Sequence, residues 1–424
     1  MRSTKNNFGE RRVVVTGMGT INPIGNNVQE FWENLTAGKS GVRTAQHTDL
    51  SEFNVRIGGE VDFPDNIGDF FPKKLLKRVD RFIVFGHVAA VQAYKDAGLE
   101  PSLVEKNPFR FGAVIGTGDA GNGLHFEMCK RIQKQGMESV SPYYAVGVIP
   151  NMPPAFFAKE FHFQGPNFSV NSACATSNHA IISAMVLIKA GAADVMICGG
   201  TEGVLNEAGY SGFSIIYALS RRNDSPETAS RPFDKDRDGF VLSEGAGVLC
   251  LEELEFAKKR GANIYAELKG FGLSCDAYDL VAPDPEGKGA AAAMALALQN
   301  AQLNKGDIEL INAHGTSTIL GDVAESRAIR QVFGERTDQI YVHSTKSMIG
   351  HLIGAASGTE AIASILAIQK GIVHPSINLF EMDPEIDLNI PSKAPVEFPV
   401  NNVLSNSFGF GGQNASLIIS RFTG

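Results

Sequence analysis

The chain has 424 residues, of which 43% are hydrophobic and 20% charged, a composition typical of a globular protein with ample core. Its net charge of -8 argues against nucleic-acid binding by the whole surface, and the lack of a long apolar run argues against membrane insertion. Five scattered cysteines without a C-x-x-C pair favour a reducing compartment and no structural zinc.

Residues 1–12 are polar and basic and lead into an apparent strand at 12–16 without the apolar core of a secretory signal, so we expect a cytoplasmic protein. A helical pattern follows at 28–36. A second apparent strand at 111–115 is again followed by a helical pattern, at 124–133. This alternation predicts an α/β fold with mostly parallel strands.

The segment Gly116 to Gly121 fits G-x-G-x-x-G, the pattern of a dinucleotide-binding turn. However, the acidic residue about twenty positions further on, Glu138, lies in a loop and not at a strand end. We therefore do not favour a nicotinamide or flavin site and expect no cofactor.

The segment Asp234 to Gly239 resembles the start of a calcium loop. Its closing acid, Glu244, comes one residue early, and the surrounding prolines and glycines leave no flanking helices. We expect an acidic structural turn here and no metal.

Cys174 is the first candidate for chemistry. Residues 167–170 predict a buried strand and residues 180–188 a helix, so Cys174 falls near a helix N-terminus. The free N–H groups and the helix dipole favour a thiolate there. A buried core cysteine is the alternative, and the position of Cys174 alone does not decide between the two.

Two histidines, His314 and His351, differ from the other seven, which we interpret as core or surface residues. Each follows a predicted strand and adjoins a glycine. His351 also precedes a predicted helix, whose positive end should keep its imidazole neutral. A neutral imidazole N–H suits an enolate oxygen, so both histidines are candidate partners of Cys174.

A weak internal repeat links two parts of the chain. Segments 168–190 and 339–369 share the order strand, turn and small-residue helix, and 15–19 resembles 268–272. We interpret the chain as two halves of one topology. The first, 1–260, carries the nucleophile and the larger insertions, and the second, 261–424, carries the two histidines.

Four motifs follow one another along the chain: SACATS at 172–177, NAHGTST at 312–318 with Gly321, Asp322 and Glu325 after it, KSMIGH at 346–351 and NSFGFGG at 406–412. Together they resemble a known family, the β-ketoacyl-acyl carrier protein synthases of the thiolase superfamily. Their order and spacing are most similar to the elongating enzymes, synthase II and the close synthase I. The resemblance implies a thiolase-like fold, five layers αβαβα from two pseudo-repeated halves, usually as a homodimer.

The resemblance also implies the chemistry. Cys174 would take an acyl chain from acyl carrier protein, with the backbone N–H groups of Cys174 and Phe410 as the oxyanion hole and Phe410 as a gate. His314 and His351 would hold the thioester oxygen of malonyl-acyl carrier protein while carbon dioxide leaves. The acyl chain would then grow by two carbons.

Supporting roles follow from the same resemblance. Lys346 and Glu360 would form an ion pair that orients the histidines, with an ordinary surface pair as the alternative. Thr316 and Thr318 would bind the phosphopantetheine arm.

A basic cluster lies where the family binds its carrier protein, and Arg221 and Arg222 extend it. Its members are Lys73, Lys74, Lys77, Arg78 and Arg81. A solvated helix face is the alternative interpretation.

Three positions depart from the family pattern: Asp119, Ile319 and Gln413. Asp119 stands where long-chain enzymes tend to carry an apolar residue at the floor of the acyl pocket. A carboxylate there is costly unless it is paired or protonated. It would shorten or polarise the pocket, or face a basic partner across a dimer interface.

Other family members are less compatible with the sequence. A degradative thiolase needs a second cysteine near the C-terminus, but none follows Cys275. A starter synthase has Asn in place of His351, and a chain-length partner of a polyketide synthase has lost the nucleophile. The open alternative is a ketosynthase of a type II polyketide or polyene pathway, and a carrier-binding scaffold is the non-enzyme alternative.

Overall fold

A computed structural model describes residues 11–424; residues 1–10, most of the segment in which we expect no secretory signal, lie outside it. The strands are β1 (Val13–Ile21), β2 (Arg43–Thr44), β3 (Ile57–Gly58), β4 (Phe111–Gly116), β5 (Asn167–Phe168), β6 (Val195–Glu202), β7 (Gly245–Glu253), β8 (Ala266–Cys275), β9 (Leu310–Asn312), β10 (Tyr341–His343), β11 (Ile372–Val373), β12 (Val396–Glu397), β13 (Asn402–Gly409) and β14 (Gln413–Ser420). The α-helices are α1 (Val28–Thr36), α2 (Arg81–Asp96), α3 (Pro101–Lys106), α4 (Asn122–Gln135), α5 (Tyr144–Val148), α6 (Met152–Phe161), α7 (Thr176–Lys189), α8 (Glu207–Ile215), α9 (Leu254–Arg260), α10 (Lys288–Ala301), α11 (Ile319–Phe333), α12 (Lys346–Ile349) and α13 (Ala356–Lys370).

Ten strands form one large sheet whose two halves repeat the same order, while β2 pairs with β3 and β11 with β12 in two small separate sheets. Across the sheet the order is β10-β9-β13-β14-β8-β1-β7-β6-β4-β5. Each half contributes five strands to this sheet: β1, β4, β5, β6 and β7 from the first half, and β8, β9, β10, β13 and β14 from the second. If these five are numbered in chain order, both halves have the order third, second, fourth, fifth, first from the outer edge to the centre, where β8 pairs with β1. The weak repeat in the sequence therefore corresponds to a repeated topology.

Helices cover the strands in layers, as the fold prediction required. Helices α2 and α6 pack on one side of the first half, and α10 and α11 pack on the outer side of the second. Between the halves lie α7 and α13, which contact each other and strands of both halves. Residues 356–368 of α13 are all buried, and apart from Glu360 they are apolar or small on every side of the helix. The predicted five-layer αβαβα architecture is confirmed.

The prediction of mostly parallel strands is wrong at the centre of the sheet. Only β4 with β5 and β6, and β9 with β10 and β13, pair in parallel, while β1, β7, β8 and β14 form antiparallel pairs. Only residues 410–412 separate β13 from β14, which leaves room for a hairpin but not for a crossover.

The expectation for residues 167–170 is also wrong. Only Asn167 and Phe168 are in strand conformation, and both are exposed because β5 is the last strand of the sheet. The helix that follows begins at Thr176, four residues earlier than predicted. Among the described residues no helix is long and apolar enough to cross a membrane.

Candidate active site

Cys174 lies in a tight turn that β13 holds in place. The turn, Ala173–Ala175, is a single 3-10 turn directly before α7. Ala173 has φ 49°, a left-handed conformation that is costly for alanine. The Ser407 hydroxyl donates a hydrogen bond to the carbonyl of Cys174 (2.7 Å). The nucleophile is therefore fixed by contacts from both halves of the chain.

The thiol is not a thiolate in this conformation, contrary to the prediction from its place near a helix. Burial raises the pKa of Cys174 to about 12, although the charge of Lys346 and the backbone N–H of Phe410 act in the opposite direction. The side chain is only 6% exposed, so the loss of hydration outweighs the helix terminus. Ionisation must therefore accompany substrate entry.

His351 faces the sulfur directly. Its Nε2 is 3.0 Å from Cys174 Sγ, and the backbone N–H of Ile353 donates to its Nδ1 (3.2 Å). Since Nδ1 accepts, the ring proton of neutral His351 lies on Nε2 and points at Cys174. His351 is thus placed as a hydrogen-bond donor.

His314 completes the group, with its ring edge-on to that of His351 at 5.5 Å between centroids. The pKa of each imidazole is well below its usual value, because of burial first and the nearby charge of Lys346 second. Both rings are therefore neutral, as the sequence predicted for His351. The main cause is burial, whereas the sequence pointed to a helix terminus.

Lys346 and Glu360 form a fully buried ion pair between α12 and α13. Burial raises the pKa of Glu360, which the lysine charge opposes. Lys346 lowers the pKa of Cys174, His314 and His351 alike. One buried cation thus acts on all three reactive groups.

Glu325 holds the loop of His314 in place, a role that its position in the motif did not indicate. Its carboxylate accepts the backbone N–H groups of His314 (2.9 Å) and Gly315 (2.8 Å) and the side-chain N–H of Asn406 (3.1 Å). Glu325 therefore ties the histidine loop to α11 and to β13. The signal was available, since Glu325 and Asn406 both belong to the quoted motifs.

A cavity of about 340 Å³ leads from the reactive groups to the surface. Thr316 and Thr318 line it, with their hydroxyls 3.0 Å apart. Its outer part is apolar and includes Ile216, Tyr217, Val281, Ile319 and Leu320. Such a narrow, mostly apolar channel with paired hydroxyls fits a flexible arm that carries amides.

Phe410 lies at the inner end of this channel, in the turn between β13 and β14. Gly411 and Gly412 follow with φ 84° and 72°, so the turn needs glycine at both positions. The backbone N–H of Phe410 and that of Cys174 both act on the Cys174 sulfur. Two N–H groups thus converge where an oxyanion would form.

The comparisons with known proteins agree with this geometry. The N-terminal domain model of the beta-ketoacyl synthases matches residues 10–257, and the C-terminal domain model matches residues 265–380. The chain belongs to the β-ketoacyl synthase family.

Curated relatives of this β-ketoacyl synthase include 3-oxoacyl-[acyl-carrier-protein] synthase 2 of Synechocystis sp., 44% identical over 98% of this chain and 99% of the relative. The enzyme of that name from Coxiella burnetii is 44% identical over 97% and 99%. As a member of this family the chain is an acyltransferase of the condensing type.

Solved structures are similar along the whole chain. A β-ketoacyl synthase from Burkholderia phymatum has a TM-score of 0.89 and 34% identity, covering 97% of this chain and 100% of that one. A type II polyketide ketosynthase, solved with its acyl carrier protein, has a TM-score of 0.90 and 34% identity, with the same coverage.

Asp119 is placed beside the site, and the residues that line the cavity in the described structure do not include it. Asn122 donates to its Oδ1 (2.8 Å), while its Oδ2 is buried without a partner. Burial raises the pKa of Asp119. The synthase thus carries a carboxyl group with one oxygen that has no hydrogen-bond partner among the described residues.

Glu202, which the sequence did not suggest, explains the G-x-G-x-x-G turn. Its buried carboxylate accepts the N–H groups of Gly118 (2.9 Å), Asp119 (3.2 Å) and Gly354 (3.0 Å). Burial, with Asp119 as the second cause, raises the pKa of Glu202 to about 8. The turn therefore binds an internal carboxyl group with the N–H groups that a nucleotide phosphate would use.

Only part of the basic cluster is exposed and free to bind a partner. Lys73, Lys74, Lys77 and Arg78 are exposed. Arg81 is not available, because its guanidinium pairs with the buried carboxylate of Glu244. The sequence could not separate Arg81 from its neighbours, since the partner lies 163 positions away.

The acidic turn at Asp234 is structural. The Asp234 carboxylate accepts backbone N–H groups of Asp236, Phe380 and Glu381. Within residues 11–424, the one His, Cys and carboxylate group compact enough for a metal is Cys174, His314 and His351. There the His351 Nε2–H points at the sulfur, an arrangement for hydrogen bonding.

Proposed function

We propose that this synthase catalyses the decarboxylative condensation of acyl-acyl carrier protein with malonyl-acyl carrier protein, giving 3-oxoacyl-acyl carrier protein in type II fatty acid synthesis. The observation that carries the proposal is the 3.0 Å approach of His351 Nε2 to Cys174 Sγ, beside His314, at the inner end of a channel. The names of the curated relatives support the same reaction.

In the first step Cys174 attacks the thioester carbonyl of the acyl donor. The carbonyl oxygen accepts hydrogen bonds from the backbone N–H groups of Cys174 and Phe410. Collapse of the tetrahedral intermediate then expels the phosphopantetheine thiolate, which takes the proton that Cys174 loses. The His351 N–H and the charge of Lys346 stabilise the cysteine thiolate as it forms. The acyl chain is left on Cys174.

In the second step malonyl-acyl carrier protein occupies the channel. His314 and His351 donate N–H groups to its thioester oxygen, so the electrons freed by loss of carbon dioxide collect on an enolate. The enolate carbon attacks the acyl carbon. As the new C–C bond forms, the bond to Cys174 breaks and the thiolate is released and reprotonated. Because the pKa of each imidazole is well below its usual value, both rings stay neutral at neutral pH.

Three residues orient these groups. The Lys346–Glu360 pair fixes a positive charge beneath them, and Glu325 holds the loop of His314 by two backbone N–H groups. Thr316 and Thr318 bind the amides of the phosphopantetheine arm, and Phe410 moves aside when the acyl chain enters. No metal or further cofactor is required.

The acyl carrier protein docks on Lys74, Lys77 and Arg78, which are exposed and attract an acidic partner. The synthase acts in the cytoplasm as a homodimer built from chains with two halves, 1–260 and 261–424. The free edge of β5, with Phe168 exposed, supports the dimer, because an unpaired strand edge can continue into a second copy. Analytical ultracentrifugation of wild type and Phe168→Glu tests this assembly.

A second candidate is a ketosynthase of a type II polyketide or polyene pathway. The polyketide ketosynthase solved with its carrier protein supports it, as does the carboxyl group of Asp119. Incubation with malonyl-acyl carrier protein and a ladder of acyl-acyl carrier proteins, read by mass, separates the two. Saturated acyl donors should be elongated by two carbons, and Cys174→Ala should form no acyl-enzyme. Elongation of polyene or polyketide donors alone would favour the second candidate.

A further inference from the structure

A second cysteine has a histidine at its side, far from the catalytic channel. Cys129 and His125 lie one turn apart on the same face of α4, with 3.7 Å between Cys129 Sγ and His125 Nε2. On its other side, His125 Nδ1 hydrogen-bonds the hydroxyl of Tyr144 in α5, and the two rings stack at 5.9 Å between centroids. None of the three lines the cavity that contains Cys174.

The order of these groups is that of an activated nucleophile: a thiol, a base within reach, and a third group that orients the base. When Nδ1 carries the ring proton it donates to Tyr144, and Nε2 keeps a lone pair for the thiol proton. This is the reverse of His351, whose Nε2 carries the proton. With His125 in this tautomer, one cysteine–histidine pair has a ring N–H donor toward the sulfur and the other has a ring nitrogen acceptor.

Charged residues neighbour Cys129 along α4. Lys130 and Arg131 follow it directly, and Lys130 pairs with Glu127 on α4 and Glu207 on α8. From the other elements packed on α4, Glu138, Tyr144 and Tyr210 are the remaining titratable groups. Activation of the Cys129 thiol therefore depends on its contact with His125.

We propose that Cys129 is a second reactive thiol of this protein and that it exchanges with small-molecule disulfides. His125 Nε2 takes the thiol proton, and the Cys129 thiolate attacks one sulfur of the disulfide. A new S–S bond to Cys129 forms as the old one breaks, and the departing thiolate takes the proton from His125. The reagent supplies the oxidising equivalent, and no step uses Cys174.

The chain supplies its own control. Cys275 is also exposed, but among residues 11–424 its sulfur hydrogen-bonds the carbonyl of Gly411 (3.6 Å) and no imidazole. Cys198 and Cys250 are buried in the core. A comparison of Cys129 with Cys275 in the same molecule therefore isolates the effect of His125.

The test is the rate of modification of each cysteine by oxidised glutathione and by iodoacetamide, measured by peptide mass spectrometry on Cys174→Ala protein. At pH 7 we expect Cys129 to react at least tenfold faster than Cys275. His125→Gln should bring Cys129 down to the rate of Cys275, and Tyr144→Phe should slow it less. Above the usual thiol pKa the wild type and His125→Gln should converge, because the thiolate then forms without a base.

Equal rates for Cys129 and Cys275 at pH 7, or a Cys129 rate that His125→Gln leaves unchanged in a protein with wild-type circular dichroism, would overturn the proposal. So would the absence of any Cys129 adduct. Condensation by His125→Gln protein should remain at the wild-type rate, since His125 lies outside the catalytic group.

Discussion

The Ile353 N–H donates to Nδ1 of His351, which places the His351 ring proton on Nε2, toward Cys174. A donor in this position can serve the cysteine thiolate and then the malonyl thioester oxygen. It cannot act as a base for the thiol while Ile353 holds the ring in this tautomer. Mutations of His351 therefore distinguish its role as a hydrogen-bond donor from a role as a general base.

His351→Ala should lower malonyl decarboxylation by about 100-fold to 1000-fold, the usual loss when one donor to an oxyanion is removed. His351→Asn, which keeps an N–H donor, should retain more of this activity. Labelled carbon dioxide release measures both, with acylation of Cys174 as the control for an intact channel. Decarboxylation by His351→Ala at the wild-type rate would show that the ring does not touch the oxygen.

Lys346→Met should destabilise the fold by about 3 to 5 kcal/mol, because it leaves Glu360 charged, buried and unpaired. The double variant Lys346→Met with Glu360→Gln should recover part of this loss. Urea unfolding measures both. Lys235→Met breaks the exposed pair with Glu381 and should cost at most about 1 kcal/mol. A Lys346→Met protein as stable as Lys235→Met would contradict the burial argument.

Lys346→Met should also make Cys174 less reactive at neutral pH. The lysine charge lowers the pKa of Cys174, so its removal raises that pKa further and reduces the thiolate fraction. Iodoacetamide alkylation of Cys174 as a function of pH measures the shift. An unchanged profile in folded protein would mean that the charge is screened from the sulfur.

Acid should destabilise the fold through His374, which stacks on His343 at 3.7 Å in the core. Burial lowers the pKa of His374 to about 4, below that of an unfolded histidine. Its contribution is complete above about pH 6.5 and is lost as the pH falls toward 4, a total of about 3 kcal/mol.

Thermal unfolding from pH 7 to pH 4 measures this loss. His374→Gln should flatten the acid side of the profile. Parallel profiles for His374→Gln and wild type would assign the acid sensitivity to other groups.

Asp119→Asn should improve stability between about pH 5 and pH 8. Glu202 has its pKa raised to about 8 by burial and by Asp119, so its ionisation destabilises the fold as the pH rises through this range. Removing the charge of Asp119 lowers the pKa of Glu202 and reduces that loss. Melting temperatures of the wild type and Asp119→Asn across this pH range test the prediction. A steeper fall of melting temperature with rising pH in the variant would contradict it.

Asp119→Ile tests the acyl pocket separately. We expect longer acyl donors to gain in kcat/KM, because an apolar side chain replaces an unpaired carboxyl oxygen. Product masses from a ladder of acyl donors measure it. Identical profiles would place Asp119 outside the path of the chain.

Charge reversal at Lys77 and Arg78 should raise the KM for acyl-acyl carrier protein at least tenfold at low salt and leave kcat nearly unchanged. The effect should shrink as salt is added. Lys259→Glu, on the exposed side of α9, is the matched control. A KM unchanged by reversal at 77 and 78 would move the docking site elsewhere.

Much of the site could be predicted from the sequence, because its residues lie in four local motifs that bring their own turns. The ion pair of Lys346 with Glu360 spans only 14 positions on adjacent helices. What the sequence could not give depends on distant contacts. The exposure of Phe168, the loss of Arg81 to Glu244, and the carboxyl of Glu202 under Gly118 are all set by the sheet order.

The state of Cys174 could not be predicted for another reason. A helix terminus is a local feature, whereas the burial that raises its pKa comes from both halves of the chain. The same holds for His351, whose neutrality is a property of the packed site more than of the helix that follows.

Ala173 and Ile353 have φ 49° and 45°, and each begins the 3-10 turn before the central helix of its half. The same backbone turn therefore occurs once in each half, with different reactive residues. The first turn contains the nucleophile Cys174, and His351, a neutral hydrogen-bond donor, lies two residues before the second. A protein with a single copy would have had to place both functions at one corner. Duplication allowed the corners to specialise, and it made activity depend on both halves folding together.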